Sequence, residues 1–378
     1  MSEYETLRLI WWLFLAVLLT GFAVMDGFDL GVAAQLPFVA RDDEEKRIAI
    51  NSIGPVWEGN QVWFILGGGA AFAAFPLLYA VAFSGFYAAM FLVLLTFIVR
   101  PVGFDFRNKL AAPAWRRTWD TALSTAAIVA AVLFGVAVGN LFLGVPFSFD
   151  GDLRVTYDGG FLGLVRPFPL LCGVASLAML LMHGAAYLRL KTEGPVAERA
   201  GKMLTTAAAV LIVLLALGGI WVAKLDGYVL TGTLDPAGPS NPLLQSATRA
   251  PGAWLANYGR YPWMMAAPGV AFIGALAAMF ATRLRQDLTA FLASCLAVAG
   301  TLFTAGFSLF PFLLPSSTAP SQSLTIWDAS SSQHTLAIMV AMVLLFLPLI
   351  MLYTAWVFRV LRGKVTAAYV RENKHSLY

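Results

Sequence analysis

The sequence predicts an all-α integral membrane protein, a single polytopic domain over residues 1–378, and three observations carry that prediction. Hydrophobic residues make up 59% of the chain and charged residues only 12%, against roughly 25% charged residues in an ordinary soluble domain; the mean hydropathy is +0.75. The apolar residues gather into stretches of about 20, the length needed to cross the hydrocarbon core as helices. Lys and Arg fall in the loops between them rather than on one soluble face, so the net charge of +4 points to a membrane surface and not to nucleic acid.

Nine spans are expected, near Leu9 to Met25, Gln61 to Phe75, Tyr79 to Val99, Ala122 to Leu143, Phe168 to Leu188, Met203 to Ala223, Met264 to Thr282, Leu288 to Phe310 and Thr335 to Phe358. The second is the shortest, and Ile53 to Val62 extends it. The first lacks a basic n-region and runs on into Asp26 and Asp29, so it reads as a span and not a cleaved signal. With nine spans, the loops after odd-numbered spans hold all but six of the 25 Lys and Arg residues; those six are Arg8, Arg154, Arg166, Lys224, Arg249 and Arg260. The positive-inside bias then puts the N-terminus outside and the C-terminus in the cytoplasm.

The outward loops are long. Val145 to Val165 carries Asp150, Asp152 and Asp158 among glycines, which reads as a solvated acidic loop before a calcium site, since EF-hand spacing is missing. Lys224 to Tyr261 is rich in Gly, Pro, Ser and Asn. Cys172 and Cys295 lie inside spans, without CxxC or zinc spacing, and behave as small apolar residues. Gly67-Gly68-Gly69 lies inside a span, where close helix packing accounts for it better than a phosphate loop.

Only His183, His334 and His375 exist, and no two can share a haem within the membrane. His183 alone remains a candidate axial ligand, with a hydrogen-bonded packing role the commoner alternative. No haem, no metal and no catalytic residue are therefore expected in this chain.

Ionisable groups near the bilayer mark proton, ion or ligand routes, and here they form three clusters where spans meet the membrane surface. Asp26 and Asp29, three apart, share a helix face, an arrangement suited to picking up and passing protons; the alternative is a polar helix end. Glu58 stands between Trp57 and Asn60-Gln61 at the entry of an apolar span. Asp105 and Lys109, four apart, form either a surface ion pair or the mouth of a proton path leading to Glu58.

The runs Gly21-Phe22-Ala23-Val24-Met25-Asp26-Gly27-Phe28-Asp29-Leu30-Gly31 and Asn51-Ser52-Ile53-Gly54-Pro55-Val56-Trp57-Glu58-Gly59-Asn60-Gln61-Val62-Trp63 resemble subunit II of the cytochrome bd-type quinol oxidases. So do Ala82 to Tyr87, Arg100 to Asp105, Pro315 to Thr318, Ser323 to Ser331 and the closing His375-Ser376-Leu377-Tyr378. The resemblance implies a two-subunit terminal oxidase that oxidises quinol and reduces dioxygen to water. It puts the quinol site and three haems, of types b and d, in subunit I, a small single-helix accessory subunit beside it, and leaves room for a structural quinone. It implies two four-helix bundles plus one peripheral helix, in a bacterial inner membrane. Carried over by motif, Glu58, Asp105 and Lys109 match a cytoplasmic proton pathway, and Trp63 and Arg100 match positions near an apolar oxygen route and the subunit interface. Glu58 departs from the aspartate usual in relatives, which keeps the carboxylate but alters its reach. The competing class, a proton-coupled secondary transporter, calls for inverted repeats and broken helices with mid-membrane charges.

Overall fold

The computed structural model describes residues 2–232 and 235–373; the closing His375-Ser376-Leu377-Tyr378 used above lies outside them. Thirteen helices account for most of the described chain: α1 (Glu3–Val39), α2 (Asp43–Ile53), α3 (Trp57–Ala74), α4 (Pro76–Gly85), α5 (Tyr87–Phe106), α6 (Pro113–Leu143), α7 (Pro167–Lys191), α8 (Gly194–Val222), α9 (Ala256–Arg260), α10 (Ala266–Arg283), α11 (Asp287–Leu309), α12 (Gln333–Val360) and α13 (Ala367–Glu372). Three antiparallel two-stranded ribbons lie in the loops: β1 (Phe147–Phe149) with β2 (Val155–Tyr157), β3 (Asp226–Leu230) with β4 (Ala247–Pro251), and β5 (Phe312–Leu314) with β6 (Leu324–Thr325). Asp150, in the acidic loop, caps the β1–β2 turn by accepting from the backbone of Asp152 and Arg154, both at 2.9 Å.

Among the described residues eight helices are long and apolar enough to cross a membrane. The expected second span is α3, whose polar first turn keeps it below that measure. Its 18 residues still reach about 27 Å at 1.5 Å per residue, from Trp57 at one end of the molecule to Ala74 at the other, where the Ala74 carbonyl accepts from Ser331 N (2.8 Å). The expected third span, Tyr79 to Val99, is not one helix. It breaks at Phe86 between α4 and α5, where Gly85 packs against Tyr157 of the first ribbon and Val145 just before it, and a side chain would crowd both.

Helix α1 is the hub. It starts with a capping box, Ser2 with Glu5, and packs against α3, α6, α7, α11 and α12. Helix α5 lies on α6, while α7, α8, α10 and α11 pack on one another. Between α1 and α7 the backbones nearly touch: a Cβ on Gly31 would run into the Leu180 carbonyl and Gly184, so only glycine fits that crossing. Of the glycine triplet, Gly67 meets Leu19, while a Cβ at Gly68 or Gly69 would meet nothing within this chain.

The two ends differ in charge. At one end Arg107 bridges Asp43 and Asp120 (2.9 and 2.5 Å), Lys46 joins Asp120 (3.0 Å), Arg199 joins Glu45 (2.5 Å) and Arg189 joins Asp287 (2.6 Å). This end gathers the loops in which the basic residues were expected to concentrate. At the other, Arg8 is wholly buried and donates to the Pro236 and Gly238 carbonyls and to Ser240 and Ser330. Nearby Asp328 accepts from the Thr325 backbone and hydroxyl (2.9 and 2.5 Å), and burial pushes its carboxyl up to about 7.

Candidate functional site

The polar centre is assembled from α1, α3 and α5. Asp26 and Asp29 were expected at the surface-facing end of a span, but α1 continues through Val39, which leaves them about 15–20 Å inside the helix. Both are fully buried. Arg100, expected in a loop after the third span, instead lies within α5, and this explains how the carboxylates are tolerated. Its guanidinium binds Asp26 in a two-point fork, Nη1 to Oδ2 at 2.9 Å and Nη2 to Oδ1 at 2.7 Å, the strong geometry for a desolvated pair. Trp57 and Phe97 flank it with ring centroids at 5.9 and 5.6 Å.

Asp29 has no cation of its own. Its Oδ2 accepts from Asn60 Nδ2 (2.8 Å), while Oδ1 is buried without a hydrogen-bond partner, as are Arg100 Nε and Trp57 Nε1. A buried polar atom left unpaired is costly, and all three of these sit where α1, α3 and α5 meet. Asp26, Asp29 and Arg100 carry one net negative charge when both acids are ionised.

Glu58, Asp105 and Lys109 are all exposed. They do not form the ion pair that the four-residue spacing of Asp105 and Lys109 suggested. What joins Glu58 to Asp105 is the contact between their neighbours: the rings of Trp57 and Phe104 meet with centroids 5.3 Å apart. That contact sets the first turn of α3 beside the last turns of α5, with the Arg100 guanidinium 5.9 Å from the Trp57 ring. Trp63 packs across Gly21 of α1, with Val62 and Ile65 exposed beside it.

His183 is fully buried and held at both ring nitrogens, Nε2 to the Val24 carbonyl and Nδ1 to Ser294 Oγ, each at 2.8 Å. With neither nitrogen free it acts as a tie between α7, α1 and α11. Sequence reading missed Asn60 as the partner of Asp29, and missed the Arg107–Asp120–Asp43 network beneath the entry. The run Asp42-Asp43-Glu44-Glu45 followed by Lys46-Arg47 was the available signal for α2, an N-cap and acidic first turn.

A family model described as cytochrome bd terminal oxidase subunit II matches residues 7–361. The chain is 46% identical over 379 residues, covering 100% of both, to the cytochrome bd-I ubiquinol oxidase subunit 2 of Escherichia coli (strain K12). It is 44% identical over 378 residues, again covering 100% of both, to a probable cytochrome oxidase subunit 2 of Haemophilus influenzae. Identity to the cytochrome bd ubiquinol oxidase subunit 2 of Bacillus subtilis is 29%, covering 94% of this chain and 96% of that one. In fold it is similar to a chain of the bd oxidase of Geobacillus thermodenitrificans, with TM-score 0.69 and 17% identity over 94% of this chain and 98% of that chain.

Proposed function

This chain belongs to the cytochrome bd terminal oxidase subunit II family, and on that premise we propose that it is the haem-free subunit of a quinol oxidase and conducts protons toward a haem site in its partner. It is a multi-pass membrane protein and a subunit of an oxidoreductase complex. In the reading advanced here, subunit I holds haems b and d and oxidises quinol, dioxygen is the terminal acceptor, and a single-helix accessory subunit and a structural quinone complete the assembly. The basic end lies in the cytoplasm of a bacterial inner membrane, following the charge bias.

The observation that supports the proton role is the contact of Trp57 with Phe104, which sets the helix turns that carry exposed Glu58 and Asp105 at the same junction as the buried ionic centre. Glu58 and Asp105 take protons from water at the mouth, and the Lys109 ammonium, one turn beyond Asp105, holds their field in balance. Behind them, Arg100 neutralises Asp26 through its fork. A single proton on Asp29 then makes the whole centre neutral, and Oδ1 is the atom free to take it. The apolar surface around Trp63, Val62 and Ile65 is the face assigned to subunit I and to oxygen access.

Glu58→Gln keeps shape and hydrogen bonding but cannot ionise. In the assembled complex it should slow quinol-driven oxygen consumption and proton uptake by at least about tenfold at normal haem content, while Glu58→Asp stays near wild type. Wild-type turnover and uptake in Glu58→Gln would make Glu58 a helix-start residue and route the protons through subunit I alone.

A further inference from the structure

One cavity lies away from the ionic centre. It opens at the basic end, between the start of α8 and the α10–α11 corner, with a volume of about 710 Å³. Arg189, Lys202, Arg283, Arg285 and Lys364 line it, with Glu193, Glu198 and Asp287. Arg189 and Asp287 are consumed by their own ion pair (2.6 Å). Among the described residues, Lys202, Arg283, Arg285 and Lys364 meet no ion-pair partner and make no side-chain hydrogen bond. Four unengaged cations against two glutamates leave the cavity with a net charge of +2.

Backbone geometry singles out one of the four. Helix α10 ends in a turn in which Gln286 N reaches back to the Ala281 carbonyl (2.9 Å) and Arg285 N to that of Thr282 (3.2 Å). Such a turn needs a left-handed residue, a place that glycine ordinarily takes. Here it is Arg285, with φ of 57°. A strained residue whose side chain lines a cavity invites a functional reading of that side chain. Helix α8 also starts there with no side-chain cap, so its first N–H groups add positive potential.

The surface leading away from the cavity is lipid-like. Leu284 and Leu288, next to the lining residues, are exposed, as is Phe280 one turn back on α10. On α8 an outward stripe runs from Lys202 through Thr206, Val210, Val213 and Leu217 to Ile220. A phosphate group seated among the cations would therefore have acyl-chain surface directly beside it, which a soluble phosphate would not need.

We propose that this cavity binds the phosphate headgroup of an acidic phospholipid, with Lys202, Arg283, Arg285 and Lys364 as its cations and the outer faces of α8 and α10 as the seat of the acyl chains. The chemistry is that of basic pockets between membrane helices. The test uses the assembled, delipidated oxidase complex, and native mass spectrometry counts bound lipid as cardiolipin, phosphatidylcholine or inorganic phosphate is added. Wild type should bind cardiolipin in preference to phosphatidylcholine, and the triple variant Lys202→Gln/Arg283→Gln/Arg285→Gln should bind it at least about tenfold more weakly. Arg285→Gly, which relieves the backbone, should raise the thermal midpoint without lipid and yet hold cardiolipin less well. The proposal is overturned if the triple variant binds like wild type, if Arg285→Gly loses no affinity, or if millimolar inorganic phosphate displaces cardiolipin as well as unlabelled cardiolipin does. Should the triple variant fail to assemble, Arg285→Gly and Lys202→Gln taken singly give the same reading.

Discussion

Around α1, α3 and α5 the interior holds two carboxylates and a guanidinium, whereas around α7, α10 and α11 it is filled by alanine, glycine and a histidine hydrogen-bonded at both nitrogens. Both regions sit among apolar spans, so neither has water to forgive an error. The first is held by charge balance, in which removal of one member strands another. The second is held by close approach of backbones, in which addition of atoms does the damage. Desolvated charge is expensive to maintain, and of these two regions only the first carries it.

The largest effect is expected from Arg100→Gln. Without its fork, Asp26 is left buried and uncompensated at a cost of about 3–5 kcal/mol. The complex should fail to accumulate, read as loss of assembled, haem-loaded oxidase from membranes. Asp26→Asn combined with Arg100→Gln should restore assembly in part but not turnover. A stable, active single variant would erase the contrast between the regions.

A smaller effect should follow in the second region from Gly300→Val. A Cβ at Gly300 collides with the backbone of Ala271 and Ala267 on α10, so the pair must separate, at about 1–3 kcal/mol for overpacking. The thermal midpoint should fall while turnover per haem stays at the wild-type value. Reduced turnover in the intact complex would mean that α10–α11 packing is coupled to the chemistry.

The smallest effect is expected from His183→Gln, which replaces one of two side-chain bonds and should cost about 1 kcal/mol. The haem-to-protein ratio by pyridine haemochrome should be unchanged. Loss of one haem per complex would turn His183 from a tie between helices into a ligand.

Much of this contrast was legible before any coordinates. Hydropathy located most of the spans, because length and apolarity report directly on the bilayer, but not the break of the third at Phe86, and the loop bias of Lys and Arg anticipated which loops meet at one end. The acidic residues of the centre were found by type, since an aspartate in an apolar run stands out. Their depth was not found: Asp26 and Asp29 looked like the end of a span because nothing in their neighbourhood names Arg100, which is 74 positions away from Asp26. Pairing across such a separation is a tertiary fact. For the same reason the spacing of Asp105 and Lys109 suggested an ion pair that does not form.

The buried anchor of Arg8 bears on how the chain is made. Its guanidinium is held by Ser330, 322 positions later, and by the carbonyls of Pro236 and Gly238, while Trp11 donates to the Leu336 carbonyl (3.0 Å). Pro236 and Gly238 are made 228 and 230 positions after Arg8, and Ser330 and Leu336 follow Arg8 and Trp11 by 322 and 325 positions. The first turns of α1 are the earliest part of the chain to be made, yet they gain these partners only late in synthesis.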